Sequence, residues 1–174
     1  MIAHELKSHR LILVPVTVAS CTAELKENHD LSLLLNAVVP GEWPPPLVTP
    51  ETLHEFIGML TDPISCRLCA WYWILKSAGK TSRPVLIGSG GLYMNEDGSC
   101  EIGYSVLMAF QCQGYATEAV STILDFVFSQ GDIETVYATT YPHLTPSIRV
   151  LEKNKFTPDG LGREEGTIRF CIRR

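Results

Sequence analysis

The sequence predicts a mixed α/β fold in a single layered domain. Its 174 residues suit one domain with a sizeable core. Strand-like runs and helical stripes alternate in the order β, α, α, three β, α, β, α, β, β, which is the pattern of a sheet covered by helices. An Asp-Gly pair within Asn95–Gly98 predicts a hairpin, so the strands on either side of it should be antiparallel.

The first third of the chain supplies one strand and two helices. Leu11–Val16 (LILVPV) is predicted to be a strand, and Thr17–Asn36 a helix capped by its own Thr17 or by a serine in its first turn. The three prolines of Gly41–Pro46 predict a rigid loop, because proline lacks the N–H that helices and central strands require. Thr49-Pro50 resembles an N-cap and a first helical residue, which starts a helix that reaches about Leu60.

The remainder of the chain supplies six more strands, for a total of seven, and two more helices. These strands are predicted at Leu68–Leu75, Val85–Tyr93, Ser99–Met108, Thr135–Tyr141, Phe156–Pro158 and Thr167–Ile172. Ala116–Ser129 has apolar residues at i, i+3, i+4 and i+7, and Thr145–Asn154 is a shorter helix. The glycine-rich run Gly88–Gly91 lies within a strand pattern and has no helix after it. It therefore predicts a bulge or close strand packing rather than a phosphate loop.

Composition and charge exclude several classes of protein. The chain is 45% apolar and 19% charged, as is typical of globular proteins, and its longest apolar runs are too short to cross a membrane. The net charge is −5 and no basic patch is evident, so nucleic-acid binding is not predicted. The first ten residues lack the apolar stretch of a signal peptide, which predicts a cytoplasmic protein.

Cysteine usage predicts reduced structural thiols rather than a metal site. The chain has six cysteines, and Cys66 and Cys69 have the spacing of a zinc or redox pair. A second pair of ligands is not evident in the sequence, so we expect no metal. A cytoplasmic location favours free thiols over disulfides.

The segment most suggestive of chemistry is Gln111–Ala116 (QCQGYA), between a predicted strand and an amphipathic helix. The first amides of a helix have no partner within the helix, and its N-terminus carries about half a positive charge. A pyrophosphate is able to accept those hydrogen bonds, and Gly114 removes a Cβ where such a ligand would approach. The alternative is an ordinary strand-to-helix turn.

Three blocks of sequence, Glu101–Leu107, Gly114–Ala119 and Ser147–Lys153, together resemble the GNAT superfamily of acetyltransferases. The closest likeness is to the branch that acetylates the N-terminal α-amine of an alanine or serine in ribosomal proteins, and related amines. Gln111–Ala116 matches the cofactor signature of that family, Gln/Arg-x-x-Gly-x-Gly/Ala. The resemblance implies a mixed, largely antiparallel seven-stranded sheet flanked by helices, with a V-shaped opening between its fourth and fifth strands.

The same resemblance implies that acetyl-CoA is the co-substrate and that pantetheine lies in the opening. Pantetheine is expected to pair with main-chain groups, and the pyrophosphate with the loop amides. The implied cofactor-binding residues are Ser105, Val106, Leu107, Gln111, Cys112, Gln113, Gly114, Tyr115, Ala116, Thr117, Leu144 and Lys153. For Lys153, and for Arg149 on the same helix, a solvated helix face is the alternative.

The implied reaction transfers acetyl directly to a primary amine, either a protein or peptide N-terminus or a small amine. A lysine costs about 3 kcal/mol more than an α-amine to deprotonate at neutral pH. Glu101 is the predicted general base, and the alternative is a solvated strand-end carboxylate. Ser147 is predicted to hydrogen-bond the thiol, and the alternative is helix capping. Many relatives have an acid tyrosine where this chain has Leu151.

The acceptor site is less well defined by the sequence. Aromatic residues Trp43, Trp73 and Tyr141 are candidates for a wall that holds an amine by cation–π attraction, and core packing is the alternative for the tryptophans. A CoA-binding sensor or regulatory module with little catalysis is the second class of function, and a pure protein-interaction domain is the third. Both a monomer and a homodimer agree with the sequence.

Overall fold

The computed structural model describes residues 3–26, 28–45, 48–61, 68–77, 83–95 and 99–174. Eight strands and five α-helices lie in the described residues, and a single 3-10 turn, Met108–Phe110, follows the fifth strand. The strands are β1 (Leu6–Lys7), β2 (Leu11–Pro15), β3 (Leu68–Leu75), β4 (Val85–Met94), β5 (Cys100–Val106), β6 (Thr135–Thr140), β7 (Thr157–Leu161) and β8 (Ile168–Arg173). The helices are α1 (Val18–Lys26), α2 (Asn28–Leu35), α3 (Pro50–Thr61), α4 (Tyr115–Gln130) and α5 (Thr145–Lys153).

All eight strands form one sheet in the order β1-β2-β3-β4-β5-β6-β8-β7. Every neighbouring pair is antiparallel except β5 and β6, which are parallel. The largely antiparallel mixed sheet predicted from the sequence is therefore confirmed. The short β1 adds one strand to the predicted seven, and its two residues are too few to give a strand signal in the sequence.

The parallel pair β5 and β6 separates soon after it begins. Only Cys100 pairs with Val136 and Glu101 with Tyr137, although β5 continues to Val106. Beyond Glu101, the edge of β5 that faces β6 pairs with no other strand among the residues that the structure describes. The V-shaped opening predicted between the fourth and fifth strands thus lies between β5 and β6.

Two apolar cores cover the two faces of the sheet. The first core packs α4 against one face, with Val120, Ile123 and Val127 fully buried. The second core packs α1 and α3 against the other face around Tyr72 and Leu86. Because side chains alternate along a strand, β5 directs its even-numbered residues to the α4 face and Glu101, Gly103 and Ser105 to the opposite face.

The predicted helix over Thr17–Asn36 is two helices, α1 and α2, on either side of position 27. The predicted cap is present, since Thr17 Oγ1 accepts from the Ser20 N–H at 3.1 Å and Ser20 Oγ accepts from the Thr17 N–H at 2.8 Å. Thr49 caps α3 in the same way, by accepting from the N–H of Thr52 at 3.3 Å.

The glycine-rich run of β4 is a site of close strand packing, as predicted. A Cβ at Gly90 would lie 2.7 Å from Trp73 Cζ2 and 2.7 Å from Tyr104 Cβ, and one at Gly91 would collide with the Ala70 backbone. The register between β3 and β4 also shifts between Trp73 and its neighbour Ile74, which is the signature of a bulge. Glycine at these positions lets the Trp73 ring lie across β4.

The predicted hairpin turn at Asn95–Gly98 falls mostly outside the described residues, but its two strands pair as predicted. β4 and β5 are antiparallel, and the Asn95 N–H donates to the Ser99 carbonyl at 2.8 Å. Within the described part of the chain, the helices are all too short or too polar to span a lipid bilayer.

Candidate active site

The loop that leads from β5 into α4 forms a concave, solvent-exposed turn. Cys112 and Gly114 both have left-handed backbone conformations, with φ of +59° and +81°. The Gln111 Nε2 donates to the Val106 carbonyl at 2.9 Å, which ties the start of the loop to the end of β5. Glycine adopts the left-handed conformation without the cost that a Cβ brings, which accounts for Gly114 directly before the helix.

The N-terminus of α4 is available to an anion. Gly114 is the N-cap, and no side chain caps the helix there. The first-turn amides of Tyr115, Ala116 and Thr117 therefore have no side-chain acceptor at the cap, while the partial positive charge of the terminus points at the loop. This is the arrangement that the sequence predicted for a pyrophosphate site, and its ligand remains to be tested.

A groove of about 420 Å³ extends from this loop along α4 towards the end of α5. Its lining residues are Gly114, Thr117, Glu118, Ser121, Thr122, Lys153 and Asn154. Asn154 Nδ2 donates to the Thr117 carbonyl at 3.3 Å and so links the two helices. Lys153 lies on the groove, whereas Arg149 is exposed one helical turn earlier and is not among the lining residues.

The main chain at the end of β5 is partly committed within the protein. The Leu107 N–H donates to the Ile87 carbonyl at 2.9 Å, and the Leu107 carbonyl accepts from the Phe110 N–H at 2.9 Å. The Val106 carbonyl accepts from the Gln111 side chain at 2.9 Å. The Leu107 N–H is thus engaged by β4 and the Leu107 carbonyl by the turn, so the predicted pairing of pantetheine with Leu107 would have to share groups that already have partners. Ser105 and the Val106 N–H remain candidates.

Ser147, in the first turn of α5, lies beside Tyr104 of β5. The Tyr104 hydroxyl donates to the Ser147 carbonyl at 3.2 Å and lies 3.3 Å from Ser147 Oγ. Burial raises the pKa of Tyr104 to about 12, and its contact with Ser147 only partly offsets this, so the phenol is protonated at neutral pH. Leu151, at the position of the family's acid tyrosine, is 1% exposed and belongs to the core.

Leu144 is the N-cap of α5 and is 39% exposed. It lacks the side-chain hydrogen bond that a polar cap residue would make. The exposed apolar side chain stands at the α5 side of the opening. The predicted contact of Leu144 with the cofactor is compatible with this position.

Glu101 lies at the base of the opening, on the face of the sheet opposite α4. It is cross-strand from Tyr93 on β4 and beside Tyr137 on β6. The pKa of Tyr93 is raised by burial and by the Glu101 carboxylate, to which its hydroxyl is hydrogen-bonded. Nearby on β5, a Cβ at Gly103 would meet nothing within 4 Å, so this face of the strand is open.

A small polar pocket of about 110 Å³ adjoins Glu101. Its lining residues are Ser99, Glu101, Tyr137, Thr139, Arg163 and Arg169. Arg169 stacks over the Tyr137 ring, with its Cζ atom 5.0 Å from the centroid, and pairs with Asp159 at 2.8 Å. The pocket therefore presents both a carboxylate and guanidinium groups.

The predicted aromatic wall is only partly present. Trp43 is 4% exposed and donates to Glu24 at 2.8 Å, and Trp73 is 0% exposed and stacks with Tyr104. Both tryptophans are core residues, so neither supplies an open surface for an amine. Tyr141, just after β6, is the exception, because its hydroxyl reaches outward and donates to Glu164 at 2.8 Å.

The cysteines of the described chain, Cys21, Cys69, Cys100, Cys112 and Cys171, are free thiols. Cys66 of the predicted pair lies outside the described residues. Among the residues that the structure describes, no group of three or more His, Cys, Asp or Glu side chains is placed to hold a metal ion.

Sequence reasoning missed three residues that the fold brings to the site. Arg10 from the start of the chain contacts the cofactor loop, Tyr104 contacts Ser147, and Tyr93 contacts Glu101. The contact between Tyr93 and Glu101 could have been predicted, since the antiparallel hairpin of β4 and β5 sets residues on facing strands opposite one another. No local sequence pattern indicates the contact of Arg10 with the loop, because 103 residues separate it from Gln113.

Comparison with known proteins finds relatives of this chain in sequence and in fold. An N-acetyltransferase of Bacillus licheniformis named p20 is 35% identical over 81 residues, which are 45% of this chain and 46% of that protein. The matched segment thus spans less than half of that curated relative.

Solved structures match over nearly the whole chain. The ribosomal-protein-S5-alanine acetyltransferase of Vibrio fischeri has a TM-score of 0.66 at 13% identity, covering 98% of this chain and 96% of that one. Mycobacterium smegmatis RimJ, in complex with a CoA-disulfide, has a TM-score of 0.63 at 20% identity, covering 98% and 86%. At these identities the likeness shows a shared fold. The model of the acetyltransferase (GNAT) domain family matches residues 10–157, and the chain belongs to that family.

Proposed function

We propose that this chain is an N-acetyltransferase that moves an acetyl group from acetyl-CoA to a primary amine. The observation that carries the proposal is the opening between β5 and β6. It has an uncapped helix N-terminus at one end and Glu101 at its base. A helix N-terminus for anions, a strand edge that β6 leaves beyond Glu101 and a carboxylate suit a donor with a diphosphate, amide groups and a reactive thioester.

The residues present fit acetyl-CoA. The amides of Gly114, Tyr115 and Ala116 would hold the pyrophosphate, since this exposed terminus has no side-chain cap. Pantetheine amides would pair with the main chain of β5 beyond Glu101, where β6 no longer pairs with it, and the Val106 N–H is the first candidate donor. Lys153 would place a positive charge over the groove beside α4.

Acetyl-CoA when bound would supply an acetyl thioester, and the protein must bring the amine of the acceptor into its neutral form so that its nitrogen can attack. Glu101 is proposed to accept the proton from the amine nitrogen, either directly or through one water. Tyr93 donates a hydrogen bond to Glu101 and so orients the carboxylate. The open face at Gly103 leaves room for the acceptor to approach along β5.

Ser147 is proposed to act at the thiol end of the site. Its hydroxyl lies 3.3 Å from the Tyr104 hydroxyl, which holds the serine in place from β5. A CoA thiol has a pKa near that of cysteine, so a hydrogen bond suffices to stabilise it as it leaves. The core position of Leu151 gives no acid at the usual family position, and this favours Ser147.

The acceptor is proposed to be a peptide N-terminal α-amine or a small amine. An α-amine is easier to deprotonate than a lysine by about 3 kcal/mol, so one carboxylate is sufficient as base. The name of the Vibrio fischeri neighbour, a ribosomal-protein-S5-alanine acetyltransferase, makes N-terminal peptides that begin with alanine or serine the first acceptors to test. We propose a cytoplasmic location on the same ground.

Two measurements test the proposal. The first is calorimetric titration of the protein with acetyl-CoA, for which we expect saturable binding. The second is the acetylation rate of the Glu101→Gln variant, with Glu152→Gln as a control that neutralises an exposed carboxylate on α5. We expect Glu101→Gln to lower kcat by about 10²- to 10⁴-fold with an unchanged Kd for acetyl-CoA. Unchanged turnover would remove Glu101 as the base, and no acetyl-CoA binding would defeat the function itself.

A further inference from the structure

Arg10, just before β2, contacts the proposed cofactor loop, Gln111–Ala116. Its Nη1 donates to the Gln113 carbonyl at 3.0 Å, and its guanidinium lies 4.4 Å from the centroid of the Tyr115 ring. Its Nη2 would lie 3.4 Å from a Cβ at Gly114. One side chain from the start of the chain therefore contacts the loop on both sides of Gly114.

The contact with Gln113 fixes the direction of an amide. The carbonyl of Gln113 and the N–H of Gly114 belong to one planar trans peptide unit, in which they point in opposite directions. Because Arg10 holds the carbonyl on its own side, the Gly114 N–H is directed away from Arg10. A carbonyl oxygen turned into the concave side would repel a phosphate, so this orientation decides whether the loop attracts or repels an anion.

Arg10 also neutralises a carboxylate next to the anion site. Glu118, in the first turn of α4, accepts from the Arg10 main-chain N–H at 2.6 Å, from Arg10 Nε at 2.6 Å and from Ser8 Oγ at 2.7 Å. Burial alone would raise the pKa of Glu118, but the hydrogen bonds from Arg10 and Ser8 and the guanidinium charge together lower it. Glu118 is therefore charged, and without Arg10 its charge would face the diphosphate uncompensated.

We infer that Arg10 is a positioning residue of the cofactor site, which orients the Gln113–Gly114 peptide and cancels the charge of Glu118. The inference rests on the proposed function, since it takes the bound anion to be the diphosphate of acetyl-CoA. Arg10 itself is not assigned a contact with the donor. Its guanidinium is used on the loop, on Glu118 and on Tyr115.

The test compares four variants by calorimetric titration with acetyl-CoA, with thermal unfolding of each as a check on folding. They are Arg10→Gln, Arg10→Lys, the double variant Arg10→Gln/Glu118→Gln, and the control Lys76→Gln. Lys76 donates to the Ser8 carbonyl at 2.6 Å, so its loss removes a cation that holds the same segment without contacting the loop. Charge-assisted hydrogen bonds of this kind predict a Kd raised by about 10- to 100-fold in Arg10→Gln. Lys76→Gln should bind as the wild type does.

The double variant separates positioning from a general loss of structure. It loses more native contacts than Arg10→Gln and should unfold at a lower temperature, yet it should bind acetyl-CoA several-fold more tightly, because the uncompensated carboxylate is gone. Arg10→Lys keeps the charge but lacks the planar fork, so its Kd should fall between those of the wild type and Arg10→Gln.

The outcomes distinguish this inference from the function on which it rests. Acetyl-CoA binding by the wild type with an unchanged Kd in Arg10→Gln would overturn the role of Arg10 alone. A double variant that binds more weakly than Arg10→Gln would overturn the charge argument and assign the whole effect to structure. A wild type that binds no acetyl-CoA would overturn both proposals.

Discussion

Replacing Gly114 by alanine changes the centre of the cofactor loop, and the chain provides a matched control in Gly131. The two glycines flank α4 and have nearly the same backbone conformation, with φ of +81° and +86°. A Cβ at Gly114 would lie 3.4 Å from Arg10 Nη2, and one at Gly131 would lie 4.0 Å from Arg174 Nη1, so neither meets a severe clash. The main penalty of either alanine is thus the left-handed conformation, about 1–2 kcal/mol.

This penalty affects the two variants differently. In a domain of this size, 1 kcal/mol lowers Tm by about 2–4 °C, so Gly131→Ala should lose roughly 2–8 °C. In Gly114→Ala, the free loop relieves its strain by leaving the left-handed conformation. Binding of the cofactor must then restore that conformation, which costs free energy. A loss of about 1–2 kcal/mol of binding free energy raises Kd by about 5- to 30-fold.

The assay is calorimetric titration of both variants with acetyl-CoA, with Tm measured on the same preparations. We expect Gly131→Ala to keep the wild-type Kd despite its lower Tm. Equal losses of affinity in the two variants would refute the reasoning, since the effect would then follow from strain at either end of α4. A wild-type Kd in Gly114→Ala would refute it as well, because the left-handed conformation would not be required for binding.

Three further predictions follow. Lys153→Ala should raise the Kd for acetyl-CoA several-fold in low salt, whereas Arg149→Ala, which removes the same charge outside the groove, should not; the two titrations in parallel check this. Gly90→Ala should destabilise the protein by about 1–3 kcal/mol in urea, because its Cβ would press on a buried ring, whereas Gly103→Ala, which meets open space, should not. The pKa of Glu118 is lower in the folded protein than in the unfolded chain, so its charge stabilises the fold at a pH above the unfolded pKa. This contribution is lost as the pH falls through the folded pKa. The difference in free energy of unfolding between the wild type and Glu118→Gln, measured in urea, should therefore shrink on acidification.

The order of the elements could be predicted from the sequence because local patterns determine it. The amphipathic stripe of α4 and the apolar alternation of the strands follow from burial on one face, and each pattern is contained in a short stretch of chain. The conformation of the loop Gln111–Ala116 also follows from a local pattern, since a glycine directly before a helix indicates a left-handed residue and first-turn amides without a side-chain cap.

The tertiary structure alone decided which distant residues share the site. Trp43 and Trp73 are ambiguous in the sequence, since an aromatic residue suits a core as well as a pocket, and packing against Tyr72 and Tyr104 placed both in the core. Arg10 contacts Glu118 only because the residue before β2 packs against the first turn of α4 in the folded protein. The sequence by itself thus determined the elements and the loop, whose causes are local. The partners of Glu101, Ser147 and the loop depend on contacts between segments far apart in the chain, which no local pattern encodes.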